Sequence, residues 1–86
     1  MDRIHLLLTT SDGEKWEKQV SSVTLPAALG SLGILANHAP MLCALDEGTV
    51  VCRTEAGEIS RIRISEGIAS VADNEVTLLL SHMELP

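Results

Sequence analysis

The stretch 29–45 reads Leu-Gly-Ser-Leu-Gly-Ile-Leu-Ala-Asn-His-Ala-Pro-Met-Leu-Cys-Ala-Leu, and the interpretation of the whole chain depends on it. It is too apolar for an ordinary loop. Gly30 and Gly33 interrupt any helix, and Pro40 forces Ala39 out of the helical region of backbone angles. The stretch therefore predicts extended, partly buried segments with tight bends, and it places His38 between two apolar clusters.

On both sides of this stretch the sequence alternates in the manner of β-strands. The clearest case is 60–64, where Ile62 and Ile64 would face a core while Arg61 and Arg63 face water. The predicted strands are 3–10, 14–20, 23–25, 32–35, 41–45, 49–54, 60–64, 68–72 and 75–81. Short strands, frequent turns and the lack of a helical period predict a single all-β domain over 1–86. We expect an antiparallel β-sandwich or flattened barrel of about ten short strands.

Three local features refine this prediction. The apolar positions are even-numbered within 14–20 and odd-numbered within 23–25, and this change after Val20 requires a bulge or a new strand at 21–22. Pro26 predicts a strand end or an edge. Asp73 and Asn74 suit a two-residue hairpin turn. The run 78–80, three consecutive leucines, predicts burial on both sides of the last strand or an apolar face turned toward a partner.

Composition excludes several classes of function. The 86 residues carry 12 acidic and 6 basic side chains, a net charge of −6, and one aromatic residue, Trp16. This balance argues against nucleic acid and against direct attraction to an anionic membrane. No stretch approaches a membrane span or a signal-peptide core, so we expect a cytoplasmic protein. Cys43 and Cys52 are then most simply buried thiols rather than a disulfide.

Few residues suggest chemistry. His5 and His82 fall in terminal strand patterns and are expected to be exposed. A catalytic pair of Cys43 and His38 is formally possible, as in a hydrolase, but nothing arranges an oxyanion site beside it. Lys15 and Lys18 do not lie at hairpin tips, which argues against a biotin or lipoate carrier. No cofactor or metal is predicted. A protein-interaction module remains, with a stand-alone adaptor as the simplest form.

Several motifs resemble one family, the ε subunit of bacterial F-type ATP synthases. The matching segments are 30–35 (Gly-Ser-Leu-Gly-Ile-Leu), 38–40 (His-Ala-Pro), 42–45, 23–26, 64–71 and 76–79. The resemblance covers essentially the whole chain. It implies a ten-stranded β-sandwich without catalytic activity of its own. Such a domain lies in the rotor stalk of a proton- or sodium-driven synthase, on the cytoplasmic face of the membrane. It links the γ subunit to the membrane c-ring and helps couple ion flow to ATP synthesis.

The resemblance also implies contact residues. His38 and Thr10 match family positions that approach γ, while Leu29, Gly30 and Ser31 match the loop that faces the c-ring. The family often carries acidic residues around that glycine, so Leu29 and Ser31 predict a more apolar contact with the ring. The usual Pro-Gly before the histidine is Ala36-Asn37 here. Asparagine tolerates left-handed backbone angles, so we expect the bend to persist.

Most members of this family continue into a C-terminal helical hairpin that restrains ATP hydrolysis. The 86 residues match the β-sandwich that precedes it. We interpret the sequence as a short form without the hairpin, either as a natural length or as one domain of a longer protein.

Overall fold

The segments in which apolar and polar residues alternate form β-strands, as the sequence predicts. A computed structural model describes residues 3–85 and contains ten strands in this part of the chain. They are β1 Ile4–Thr10, β2 Lys15–Val20, β3 Ser22–Ala27, β4 Gly30–Leu35, β5 Met41–Leu45, β6 Gly48–Arg53, β7 Ile59–Ile64, β8 Gly67–Ala72, β9 Glu75–Leu80 and β10 Met83–Glu84.

The strands divide into two layers of five. The first layer has the order β4-β3-β6-β7-β10, and the second has the order β5-β8-β9-β1-β2. A single residue pair, Ala27 with Leu45, joins β3 to β5 and so links the layers. All pairs are antiparallel except β1 with β9, which run parallel. The predicted sandwich is confirmed, and this one parallel pair departs from it.

The core lies between the two layers. Each strand turns every second side chain inward, so the buried residues are mainly aliphatic residues from both layers, together with Cys52 and Met83. The largest fully buried side chains include Ile4, Leu6, Leu8, Leu25, Ile34, Ile62 and Leu78. Gly67 lies where β8 and β9 approach closely, and a Cβ there would collide with the carbonyl oxygen of Leu79. Any larger residue at Gly67 would force the two strands apart.

Loop contacts fasten the layers at their ends. Arg3 Nε donates to Glu55 Oε1 at 2.8 Å, which ties the start of β1 to the β6–β7 loop. The Ser65 hydroxyl accepts the backbone N–H groups of Ser81 and His82, each at 3.1 Å. This second contact holds β10 against the end of β7.

Most local predictions are confirmed. A new strand begins after Ser21, which reconciles the buried Val20 with the buried Val23. Asp73 and Asn74 form the β8–β9 turn with φ of 52° and 61°, the left-handed geometry of a two-residue hairpin. Cys43 and Cys52 are both free thiols, but only Cys52 is buried, whereas Cys43 is half-buried.

Three other local predictions are met in part. Pro26 lies inside β3, at the point where β3 stops pairing with β6 and has not yet reached β5. On that side no ladder partner needs its missing N–H group. The leucines at 78–80 alternate, with Leu79 exposed between two buried neighbours. Burial on both sides is therefore wrong, and an apolar face turned toward a partner stays a prediction. His82 is exposed as expected, but it lies between β9 and β10 rather than in a strand.

Candidate functional site

The predicted c-ring segment forms the tip of a hairpin. Ala28 and Leu29 connect β3 to β4, and Gly30 and Ser31 are the first residues of β4 rather than loop residues. Gly30 has φ of +121°, an angle that favours glycine and closes the turn. Leu29 is fully exposed, with a relative exposure of 103%. We call this element the Leu29 hairpin.

An apolar cleft lies beside the Leu29 hairpin and is lined by the first half of β4 and by β5. Its lining residues are Ala27, Ala28, Leu29, Gly30, Ser31, Leu32, Met41, Cys43 and Ala44. Cys43 is therefore part of an apolar wall. The hydrogen bonds of the described residues do not join it to His38, so the structure does not assemble the cysteine–histidine pair that the sequence allows.

Paired asparagines hold the loop that carries His38. The backbone N–H of Asn37 donates to Asn74 Oδ1 at 2.5 Å, and Asn74 Nδ2 donates to Asn37 Oδ1 at 3.3 Å. Asn37 has φ of 67°, which confirms the predicted left-handed bend. The contact fastens the β4–β5 loop to the β8–β9 turn. The asparagine pair thus restrains a loop that lacks the usual proline.

His38 itself is half-buried at the end of the sandwich. Its Nδ1 lies 2.7 Å from the carbonyl oxygen of Ala39. Because a carbonyl oxygen only accepts, Nδ1 is assigned as the donor in this contact. The ring is therefore oriented by its own loop before any partner arrives.

Thr10 is buried at the end of β1, with 6% exposure, and its hydroxyl organises the β1–β2 turn. The hydroxyl accepts the backbone N–H of Glu14 at 3.0 Å and donates to the carboxylate of Asp12. The hydrogen bond from Thr10 lowers the pKa of the Asp12 carboxyl below its usual value. The threonine thus serves the fold through polar contacts within the turn.

The structure separates the two residues predicted to approach γ. Thr10 is the register partner of Leu80, whereas His38 lies beside Asn74, just before the first residue of β9. Asn74 and Leu80 are six residues apart in sequence. At about 3.3 Å per strand residue, this places His38 and Thr10 roughly 20 Å apart. One row runs from the Leu29 hairpin to Thr10 through register pairs: Ala27, Leu45, Gly67, Leu80 and Thr10. Thr10 therefore shares an end of the sandwich with the hairpin, and His38 marks the opposite end.

Between these two ends, the outside of the second layer carries an uncharged surface. Two rows cross the four strands β5, β8, β9 and β1. The first row is Leu42, Ser70, Thr77 and Leu7, and the second is Ala44, Ile68, Leu79 and Thr9. Leu42, Ile68 and Leu79 are 74%, 52% and 56% exposed. We call these eight residues the apolar face.

Polar and charged residues border the apolar face. On β2, Glu17 pairs with Leu7 and Lys15 pairs with Thr9, so these two charged residues continue the two rows at one side. His5 and Glu75 occupy the next row toward His38, and His5 Nε2 lies 2.7 Å from Glu17 Oε2. An apolar centre with a polar rim is the arrangement of a protein-binding surface.

Sequence reasoning found only part of the apolar face. It identified the three leucines of β9 as a partner-facing candidate, but it missed Leu42 and Ile68. The available signal was in β5, whose sequence Met-Leu-Cys-Ala-Leu is apolar at both parities. Such a run is typical of a strand whose outer side is also covered.

Other kinds of site find little support in the described residues. Among residues 3–85, no group of His, Cys, Asp or Glu is arranged to hold a metal ion. The same residues include no helix suited to crossing a membrane. Burial raises the pKa of the Cys52 thiol, which keeps it protonated and unreactive.

Comparison with known proteins identifies the family. Residues 3–86 match the family described as ATP synthase, Delta/Epsilon chain, beta-sandwich domain. The chain is 39% identical over 74 residues to the chloroplastic ATP synthase epsilon chain of Cyanidioschyzon merolae, covering 86% of this chain and 56% of that one. It is 42% identical over 77 residues to the epsilon chain of Synechocystis sp., covering 88% and 55%. The chain thus spans little more than half the length of these curated relatives.

Solved structures agree. A chain of the Euglena gracilis mitochondrial ATP synthase, in an OSCP/F1/c-ring assembly, superposes with a TM-score of 0.90 at 27% identity, covering 99% of this chain and 54% of that one. A chain from the Tetrahymena thermophila mitochondrial ATP synthase central stalk and c-ring superposes with a TM-score of 0.76 over 94% of this chain and 65% of that one. Its 18% identity supports the fold alone. The chain belongs to the family of ATP synthase delta/epsilon chain β-sandwich domains.

Proposed function

We propose that this chain is a non-catalytic central-stalk subunit of a proton- or sodium-translocating F-type ATP synthase. It links the γ subunit to the membrane c-ring and supports the coupling of ion flow to ATP synthesis. The relatives named as epsilon chains and the F1/c-ring assembly that contains a similar chain support this proposal. The role is mechanical and needs neither a catalytic group nor a cofactor.

The apolar face is the observation that carries the proposal. Exposed leucine and isoleucine side chains in two adjoining rows are costly in water, and burial against a partner removes that cost. We propose that γ covers this face. The two residues expected to approach γ, His38 and Thr10, flank it at opposite ends. Because the Thr10 hydroxyl is already engaged within the turn, we expect Thr10 to support the γ contact by holding the turn beside Leu79.

The Leu29 hairpin is the proposed contact with the c-ring loops. Leu29 projects fully into solvent, and Gly30 and Ser31 continue the same tip. The tip carries no charge, so contact with the ring depends on apolar burial more than on ion pairs. Exposed ion pairs contribute at most about 1 kcal/mol each and are screened by salt.

A salt titration of the assembled rotor tests this contact. The wild-type chain should remain bound to a rotor of γ and c-ring as salt rises to moderate concentration. The variant Leu29→Glu should make retention depend on salt by restoring a charge to the tip. Steep loss of the wild-type chain at moderate salt would contradict an apolar ring contact.

These contacts imply a location. We propose that the chain is peripheral to the cytoplasmic face of the cell membrane and is held there through the complex, without direct insertion into lipid.

Calorimetric titration with the γ subunit of the same organism tests the proposed function. The wild-type chain should bind tightly, and Ile68→Lys, which places a charge in the apolar face, should weaken binding by at least about a hundredfold. Ile59→Lys is the matched control, because Ile59 is a similarly exposed isoleucine, at 42%, outside the apolar face. Absence of wild-type binding would favour a stand-alone adaptor instead. Equal losses of affinity in both variants would mean that the apolar face is not the γ contact.

A further inference from the structure

The outside of the first layer carries a cluster of arginines. Arg61 and Arg63 alternate along β7, and Arg53 of the neighbouring strand β6 lies diagonally across from Arg61. All three side chains are exposed. Alternate residues of a strand are about 7 Å apart, and diagonal neighbours about 7–8 Å. We call these three residues the arginine face.

This cluster stands out against the charge of the chain. The net charge is −6, yet half of the six basic residues lie on this one surface. The four longest strands of the first layer, β3, β4, β6 and β7, contain no acidic residue. The acid nearest in register is Glu84 of β10, opposite Arg63. Three arginines therefore face a single acid on the strands of this layer, and their positive charge is only partly balanced.

The arginines lack acidic partners within the described chain. Among residues 3–85, Arg3 is the only Lys or Arg side chain within 4.0 Å of a carboxylate, that of Glu55. Arg63 donates to the hydroxyl of Thr49, at 3.4 Å. Guanidinium groups suit paired recognition of carboxylates, so the arginine face presents unused donors of that kind.

We propose that the arginine face binds an acidic, extended segment of a neighbouring protein. Carboxylates on alternate residues of an extended segment repeat at about 7 Å, the spacing of Arg61 and Arg63. A small anion is instead held in a concave site, whereas these arginines are exposed on the outside of a sheet.

A lipid surface fits the arginine face less well than a polypeptide does. Arg63 lies near the Leu29 hairpin end of the sandwich, and Arg53 lies near the other end, opposite Ser22. The cluster thus extends along the sandwich. A membrane approached through the hairpin would reach Arg63 but not Arg53. The arginine face is also on the opposite side from the apolar face, so both surfaces can be occupied at once.

An NMR titration tests this proposal independently of γ. The probe is a blocked peptide of alternating glutamate and threonine, added to the isotopically labelled full chain at low ionic strength. We expect amide shifts confined to β6 and β7, reversed by added salt. Arg61→Glu should weaken binding about tenfold, while Lys15→Glu, the same change of charge on β2, should leave it unaltered. Circular dichroism checks that both variants fold.

Several results would overturn the proposal. Equal weakening by the two variants would mean attraction to net charge alone. Equal binding of a glutamine–threonine peptide, or no shifts on β6 and β7, would mean that the arginines do not recognise carboxylates. Binding of phosphatidylglycerol vesicles that requires Arg61, with no binding of the peptide, would assign the face to lipid.

Discussion

The two layers of this sandwich have similar inner faces and dissimilar outer faces. Inside, both layers contribute aliphatic side chains that exclude water. Outside, the second layer presents the apolar face without a single charge, whereas the first layer presents the arginine face. The inner faces are what the fold requires. We expect the outer faces to contribute little to folding, and their difference is the reason for proposing two separate binding functions on opposite sides of the sandwich.

The largest predicted effect is a difference in stability between variants of an inward-facing and an outward-facing leucine of β9. Leu78 is fully buried and Leu79 is 56% exposed. Leu78→Ala should lower the free energy of unfolding of the isolated chain by about 2–5 kcal/mol, because it leaves a cavity. Leu79→Ala should change it by no more than about 0.5 kcal/mol. Urea unfolding measures both. Similar losses in the two variants would mean that the apolar face stabilises the chain rather than serving a partner.

The next effect locates one end of the apolar face. His38→Glu should weaken γ binding by about tenfold, or ~1.4 kcal/mol, by placing a negative charge at the edge of the contact. Calorimetry measures the affinity, and circular dichroism verifies the fold. The control His82→Glu adds the same charge at an exposed histidine between β9 and β10. Unchanged affinity in His38→Glu would confine the γ contact to the strands.

The smallest effect concerns the other end of the apolar face. Thr10→Val removes the acceptor for the Glu14 N–H and should cost about 1 kcal/mol of stability at neutral pH. Thr9→Val, one residue earlier on the outer side, should be nearly neutral.

The pH dependence of this effect has a definite sign. The Thr10 hydroxyl lowers the pKa of Asp12 in the folded state. The stability contributed by the Thr10–Asp12 hydrogen bond is therefore fully present above the unfolded pKa of about 3.9. It is lost as pH falls through the lower folded pKa. The stability gap between wild type and Thr10→Val should therefore narrow in acid when urea unfolding is repeated there. A gap that widened in acid would contradict this role for the hydroxyl.

Much of the fold could be predicted because alternation is local. The pattern at 60–64 and the parity change after Val20 each state which side chains turn inward, and both are correct. Strand partners are not local. The parallel pairing of β1 with β9 depends on residues about seventy positions apart, and the two-residue strand β10 is too short to carry a pattern.

The surfaces were harder to predict for a related reason. In a strand such as β5, the residues that face inward and those that face outward are both apolar. Its sequence would be the same whether the outer side is covered by the same chain or by another protein. Only the structure shows that Leu42 is exposed. The asparagine pair that restrains the His38 loop likewise joins residues 37 positions apart in sequence, so no local rule anticipates it. The contacts of His38, Thr10 and the Leu29 hairpin with partners stay predictions.

The most direct test of the central claim, that γ covers the apolar face, is thiol protection. Ile68→Cys and Ile59→Cys are each placed in a Cys43→Ser background, where the remaining Cys52 is buried with a raised pKa and reacts poorly. Adding γ should slow modification at position 68 by more than about tenfold, because an interface core excludes water, and leave position 59 unchanged. Protection at 59 with free reaction at 68 would contradict the account.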